Sequence, residues 1–189
     1  PSAEARTLIN QSISAFWDFL VGEDGGSLFA TVAPTLTQIG DNAYQLPADF
    51  YRLIDVSVKT NSYYMRASQA DPQDYAQLLT QTYNGIAYSR YYLHWNLEQD
   101  RFELFLFPDQ TPDKILVRYI PEAPELNLST DALALPHSWI EWIELDTAIK
   151  MLVKEQSDAS ALFEQKRELE MRILDAINEI NKTGIKQIR

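Results

Sequence analysis

Near the start of the chain, apolar residues return every three or four positions, at Ile9, Ile13, Phe16, Trp17 and Leu20. Glu4, Asn10, Gln11 and Asp18 take the other faces. A single stripe at that spacing predicts an amphipathic helix over residues 3–20, stopped by Gly22, Gly25 and Gly26. Residues 27–39 are rich in Thr and interrupted by Pro34, and their pattern leaves helix and loop equally open.

From Asn42 the period becomes two. Tyr44 and Leu46 alternate with Ala43 and Gln45 as far as Pro47, and Ile54, Val56 and Val58 alternate with Asp55, Ser57 and Lys59. Both runs predict half-buried strands. Asn61-Ser62 marks a turn, with residues 63–67 as the returning partner. Asp71-Pro72-Gln73-Asp74 has the chemistry of a helix start, and that short helix is expected to reach about residue 80, burying Tyr75, Leu78 and Leu79. Residues 88–95 and 102–107 are predicted strands joined around 96–100, and 114–120 supply a third. Both faces of 102–107 are apolar, so that strand should be central or covered on both sides. Pro121 and Pro124 close the β-rich stretch, and 125–135 reads as a linker.

The last third returns to a helical period. Ser138 and Glu141 predict a capping box with Pro136 just outside it. The helix to residue 156 carries Trp139, Trp142, Ile143, Leu145, Ile149, Leu152 and Val153, too many for one stripe, so most of its faces should be covered. Ser157-Asp158 begins a second long helix with Leu162, Leu169, Ile173, Ile177 and Ile180 on one side, and Gly184 is placed to end it. The sum is an α+β fold. A helical layer comes from residues 1–41 and 122–182, an antiparallel β-subdomain is inserted at 42–121, and residues 183–189 form a C-terminal arm.

Composition narrows the chemistry. The 189 residues are 46% hydrophobic and 23% charged, with no Cys. Disulfides, thiolate catalysis and Cys-based zinc sites are therefore excluded, as suits synthesis in a reducing cytosol. No apolar run has the length of a membrane span, and residues 1–6 lack the basic and apolar regions of a signal peptide, so neither membrane insertion nor export by that route is expected. The formal net charge of −11 disfavours tight binding to DNA, which is driven by cations that release phosphate counterions. The charge is uneven. Between Tyr119 and Ile149 stand Glu122, Glu125, Asp131, Glu141, Glu144 and Asp146 with no Lys or Arg, whereas Lys182, Lys186 and Arg189 end the chain with no acid.

No catalytic or metal constellation emerges. His94 and His137 are the two histidines, and no second His stands three or four residues from either. No nucleophile-elbow pattern surrounds a Ser, and Gly25-Gly26 precedes no phosphate-binding strand–helix unit. Carboxylate pairs such as Glu122 with Glu125, or Glu141 with Glu144, have the makings of a glycosidase, but among 27 acids a solvated face explains them better. No cofactor is expected. Tyr63, Tyr64, Tyr83, Tyr88, Tyr91, Tyr92 and Trp95 crowd the β-subdomain. They suit a sheet core first, then a protein interface in which Tyr88, Tyr91, Tyr92 and Trp95 take part. A single-stranded nucleic-acid platform ranks last, because only Arg66 and Arg90 are interleaved with them.

Two stretches look familiar together. One is Tyr44-Gln45-Leu46-Pro47-Ala48-Asp49-Phe50-Tyr51-Arg52-Leu53, a strand ending in Leu-Pro and followed by an aromatic turn. The other runs Phe105-Leu106-Phe107-Pro108, then Val117-Arg118-Tyr119-Ile120-Pro121, then Leu135-Pro136 before an apolar helix. Their order resembles the head-to-tail adaptor proteins of tailed bacteriophages, especially the tail tubular adaptors of short-tailed phages, over residues 44–180. Leu46, Pro47, Asp49, Phe50, Pro108, Tyr119 and Pro136 carry the match, and each has a local duty. Pro47 and Pro108 end strands, Asp49 can cap a turn, and Pro136 pre-sets a helix start.

The resemblance implies a non-enzymatic virion protein of the neck between capsid and tail. Its partners would be the portal protein, a tail or nozzle protein, and further copies of itself in a twelvefold ring, with DNA as non-specific cargo in the channel. It also implies a portal-docking arm, which here would be Thr183, Ile185, Lys186, Gln187, Ile188 and Arg189. The alternative is a carbohydrate- or receptor-binding module built on the Tyr/Trp-rich β-subdomain.

Overall fold

The computed structural model describes residues 3–23, 25–60, 63–71, 73, 89–107, 111–128, 130–133 and 135–183. The fold is α+β, with helices from both ends of the chain and sheets between them. Two compact units divide it: residues 1–28 with 123–189, and residues 29–122.

The first unit is helical. Helix α1 (Ala3–Gly22) buries Ile13, Phe16, Trp17 and Leu20, the stripe that its sequence spacing predicts, together with Ser12 and Val21. Helix α2 (His137–Lys154) packs against both α1 and α3 (Ser160–Thr183). Phe16 of α1 lies 5.0 Å from Trp142 and 5.8 Å from Trp139, ring to ring, and Phe19 stacks on Trp142 at 6.1 Å. The two tryptophans of α2 thus share one aromatic cluster. Leu169, Ile173 and Ile177 are the buried members of the α3 stripe.

The capping box at Ser138 and Glu141 does not form. Pro136 is the residue that opens α2, with φ −56° and ψ 147°, no side chain caps the end, and Ser138 lies one residue inside the helix. Proline's fixed φ replaces the cap: the Pro136 carbonyl accepts from the N–H groups of Trp139 and Ile140. Asp158, by contrast, acts near the start of α3 as its sequence suggests, accepting from the Ser160 N–H at 2.9 Å. The stretch read as a linker is anchored in this unit, because Asn10 of α1 exchanges two hydrogen bonds with the backbone of Leu126.

The second unit is two sheets enclosing one core. Strands β1 (Thr31–Val32), β9 (Ile115–Pro121), β4 (Phe50–Thr60) and β5 (Tyr63–Arg66) make one sheet in that spatial order. The other runs β2 (Thr37–Gly40), β3 (Ala43–Gln45), β8 (Arg101–Phe107), β7 (Arg90–Asn96) and β6 (Ser68–Gln69). The segment left open by its pattern, 27–39, supplies β1 and most of β2, placing residues 31–40 with the sheets. Among the described residues all pairings are antiparallel except β6 with β7, which is parallel. Strand β8 is the middle strand of its sheet, in keeping with apolar residues on both its faces.

Alternation fixes which side chains fill the core. Val56 and Val58 from β4, Val117 and Ile115 from β9, and Leu104 and Leu106 from β8 point inward with Tyr44, Leu46 and Phe50. Strand β4 begins at Phe50, so the stretch expected as an aromatic turn is already ladder. Two irregularities, between Phe50 and Arg52 and between Leu53 and Asp55, bend it there. The predicted helix from Asp71 to about residue 80 lies almost wholly outside the described residues. Only its first turn chemistry is visible, with the Gln73 N–H donating to Asp71 Oδ1 at 2.9 Å.

Candidate functional site

The motif residues of the β unit meet at one corner. Leu46 is buried and its N–H donates to the Phe102 carbonyl. The Pro47 carbonyl accepts from the Phe50 N–H at 3.1 Å, closing the turn that carries the chain from one sheet to the other. Phe50 lies against Phe102 at 5.0 Å and Tyr119 at 5.9 Å. Asp49 was expected to cap this turn. Instead its Oδ1 accepts from the Tyr119 hydroxyl at 2.9 Å, and its carbonyl accepts from the Glu122 N–H. Burial, reinforced by the hydrogen bond and charge of Asp49, pushes the Tyr119 hydroxyl up to about 12, so it remains a neutral donor. The corner is therefore a structural joint, and it presents no reactive group. Pro136 serves the start of α2 in the other unit, and Pro108 lies outside the described residues.

The aromatic cluster divides between core and surface. Tyr91 packs on the main β core, and Tyr92 packs on the small outer cluster of Ala70 and Phe107 with Phe105. Neighbours on a strand face opposite ways, which explains the split. Trp95, 39% exposed, meets Phe102 edge-on at 4.6 Å. Tyr63 and Tyr64 on β5 are 59% and 49% exposed. Tyr88 and Tyr83 lie outside the described residues, as do Ile185, Lys186, Gln187, Ile188 and Arg189 of the arm; Thr183 is the last residue of α3.

Two buried carboxylates were invisible in a count of acids. Asp146, one of the six acids between Tyr119 and Ile149, is buried in the helical unit. Its Oδ1 lies 2.7 Å from Lys166 Nζ and its Oδ2 lies 2.8 Å from Lys150 Nζ, which also donates to Ser12 Oγ at 3.1 Å. Burial pushes this carboxyl up, but the neighbouring Lys150, the hydrogen-bonded Lys166 and nearby Ser12 outweigh it and hold the group below its ordinary value. Lys166 also lies 4.1 Å over the Trp142 ring, whose Nε1 donates to Glu170 Oε1 at 3.0 Å. Three helices are thereby tied by one polar network. The spacing of Asp146 and Lys150, one helical turn apart, was the available signal. Glu103 on β8 is the second case, 6% exposed, with its Oε1 accepting from Asn96 and Arg101. The other acids of the stretch, Glu122, Glu125, Asp131, Glu141 and Glu144, are exposed.

Metal and catalytic chemistry find little to build on. His94 lies on β7 beside Phe105 and Tyr92. His137 and Glu141 are exposed one turn apart at the start of α2. Among the described residues no group of three or more His, Cys, Asp or Glu stands close enough to hold a metal ion, and no helix is long and apolar enough to cross a membrane. A cleft of about 250 Å³ in the β unit is lined by Phe50, Leu53, Leu93 and Phe102 with Arg52 and Gln69. A shallower one of about 330 Å³ in the helical unit is lined by polar residues of α1 and Glu125. Neither gathers a base, a nucleophile and an orienting partner.

The described surfaces thus carry exposed aromatic residues on strands and exposed acidic segments. No curated protein matches the chain. The family model described as SU10 adaptor protein matches residues 1–185, and the chain belongs to that family of phage adaptor proteins.

Proposed function

We propose that the chain is a non-catalytic head-to-tail adaptor. In the virion it forms a twelvefold ring between the portal protein and the tail or nozzle protein, with DNA passing through the central channel. The observation that carries this reading is the family match across residues 1–185. The structure supports it by giving Leu46, Pro47, Asp49, Phe50, Tyr119 and Pro136 structural duties and by burying Asp146 with Lys150 and Lys166 as a helix clamp. Exposed carboxylates suit a channel wall, since they raise the cost of phosphate approach and let DNA slide. A net charge of −11 makes free copies repel one another, so the ring assembles on the portal as template.

Docking falls to the arm, residues 183–189. Its two basic residues, Lys186 and Arg189, with Lys182 just before it, seek acidic portal surface, and Ile185 and Ile188 fill apolar clefts. Deleting residues 183–189 should weaken co-sedimentation with portal protein at least tenfold and leave the melting temperature within a degree or two. Unchanged portal binding would remove the arm from the mechanism and point to the acidic stretch between Tyr119 and Ile149. The exposure of Tyr63 and Tyr64 favours a second reading, a sugar- or receptor-binding face. Loss of glycan or receptor binding on Tyr63→Ser/Tyr64→Ser, with portal assembly absent, would favour it.

A further inference from the structure

The hairpin of β7 and β8 ends in a feature that serves no core of its own. Leu97 at its tip is 85% exposed, more than any other large apolar side chain described. A loose turn would let such a residue fold back, but this turn is fixed. Asn96 Oδ1 accepts from the N–H groups of Glu98 and Gln99 at 3.0 and 3.2 Å, and its Nδ2 donates to Glu103 Oε1 at 2.9 Å. Glu103 is held in turn by Arg101, which also donates to Gln45. Asp100 closes the turn with φ 50°, a left-handed conformation that Asp tolerates better than most residues. The chain buries a carboxylate, an unfavourable act unless it is fully hydrogen-bonded, to lock a turn whose apex holds a leucine in water.

A cleft of matching chemistry lies in the same unit. The cleft of about 250 Å³ has an apolar floor of Phe50, Leu53, Leu93 and Phe102, with Arg52 and Gln69 at its mouth. A cavity of about 150 Å³ already holds a small apolar ring, so a leucine side chain fits with room for its neighbours. The tip is acidic around its leucine, with Glu98 and Asp100, and the mouth carries the cationic Arg52. We infer that the hairpin tip of one copy docks in this cleft on the next, Leu97 on the apolar floor and the flanking carboxylates beside Arg52. A knob and a hole at different places on one surface make a heterologous contact, which generates a ring when its rotation closes. The tip is pre-organised, so little ordering entropy opposes docking. This contact deepens the ring reading above and rests on it.

The absence of Cys makes covalent trapping clean. The full chain carrying Leu97→Cys and Gln69→Cys, both at exposed positions, is oxidised in concentrated solution at high salt, which screens self-repulsion, and again when bound to portal protein. Sedimentation reports in parallel whether copies have associated. A ladder of covalent multimers beyond the dimer is expected on a denaturing gel, whereas either single-Cys variant should stop at dimer. In a chain without the new cysteines, Leu97→Asp should cut the associated fraction at least tenfold with the melting temperature unchanged. Association without the ladder would overturn this contact and leave the ring standing. No association in either setting would overturn both.

Discussion

Replacing Trp142 with Ala should lower the unfolding free energy by about 3–5 kcal/mol, the range for large aromatic truncations in packed cores. Trp142 is 2% exposed and meets Phe16, Phe19, Lys166 and Glu170 at once. Its loss opens a cavity between α1 and α2 and removes the aromatic face beneath a cation. Trp142→Phe separates the contributions: the ring volume is mostly kept, while Glu170 loses its indole donor at a cost of about 0.5–1.5 kcal/mol. Chemical denaturation with unchanged m-values would report both. An alanine variant as stable as the parent would remove Trp142 from the core and undo the three-helix packing described here.

Breaking the Asp146 cluster should be nearly as damaging. Asp146→Ala leaves Lys150 and Lys166 facing each other without their counter-charge, and losing one partner of a buried ion pair costs about 3–5 kcal/mol. Both lysines retain some exposure and can swing toward water, so the lower end is expected. The pH dependence has a defined sign. The folded carboxyl sits below its ordinary value of 3.8, so its contribution is complete above that value and is lost as pH falls through the folded pKa. Asp146→Asn should therefore weaken the protein at neutral pH while flattening its acid-denaturation limb below about pH 4. An acid limb unchanged by Asp146→Asn would mean the carboxylate is not held as the geometry implies. The double variant Asp146→Leu/Lys166→Met should recover part of the loss, since apolar replacement of a whole buried pair is often tolerated.

The legible parts of the fold were those with a sustained period. The stripe of α1, the alternation around Val56 and Val58, and the two-faced apolar run of β8 each fix local structure by which side chains must leave water. Residues 31–40 were not legible because β1 and β2 are short, exposed strands whose pairing with β9 and β3 supplies what local pattern lacks. The expected cap at Ser138 failed for a different reason: Pro136, two residues earlier, fixes the helix start by geometry. In the aromatic cluster, the sequence could gather Tyr91, Tyr92 and Trp95 on one strand but could not say which face each takes without the register. Asp146 and Glu103 looked like two more surface acids, because burial of a charge depends on partners such as Lys166 and Asn96, 20 and 7 residues away. The family motif was readable as order, Leu46-Pro47 to Tyr119, and the structure adds why: Asp49 and Tyr119 are hydrogen-bonded across 70 residues.

The central claim, a ring built on a portal template, is tested most directly by native mass measurement while purified chain is titrated onto isolated portal rings. The account predicts a single saturated species carrying one full ring of adaptor, with free chain remaining monomeric or weakly associated at low salt, where self-repulsion of a chain with net charge −11 is strongest. A portal mass that stays unchanged at saturating chain concentration would contradict it.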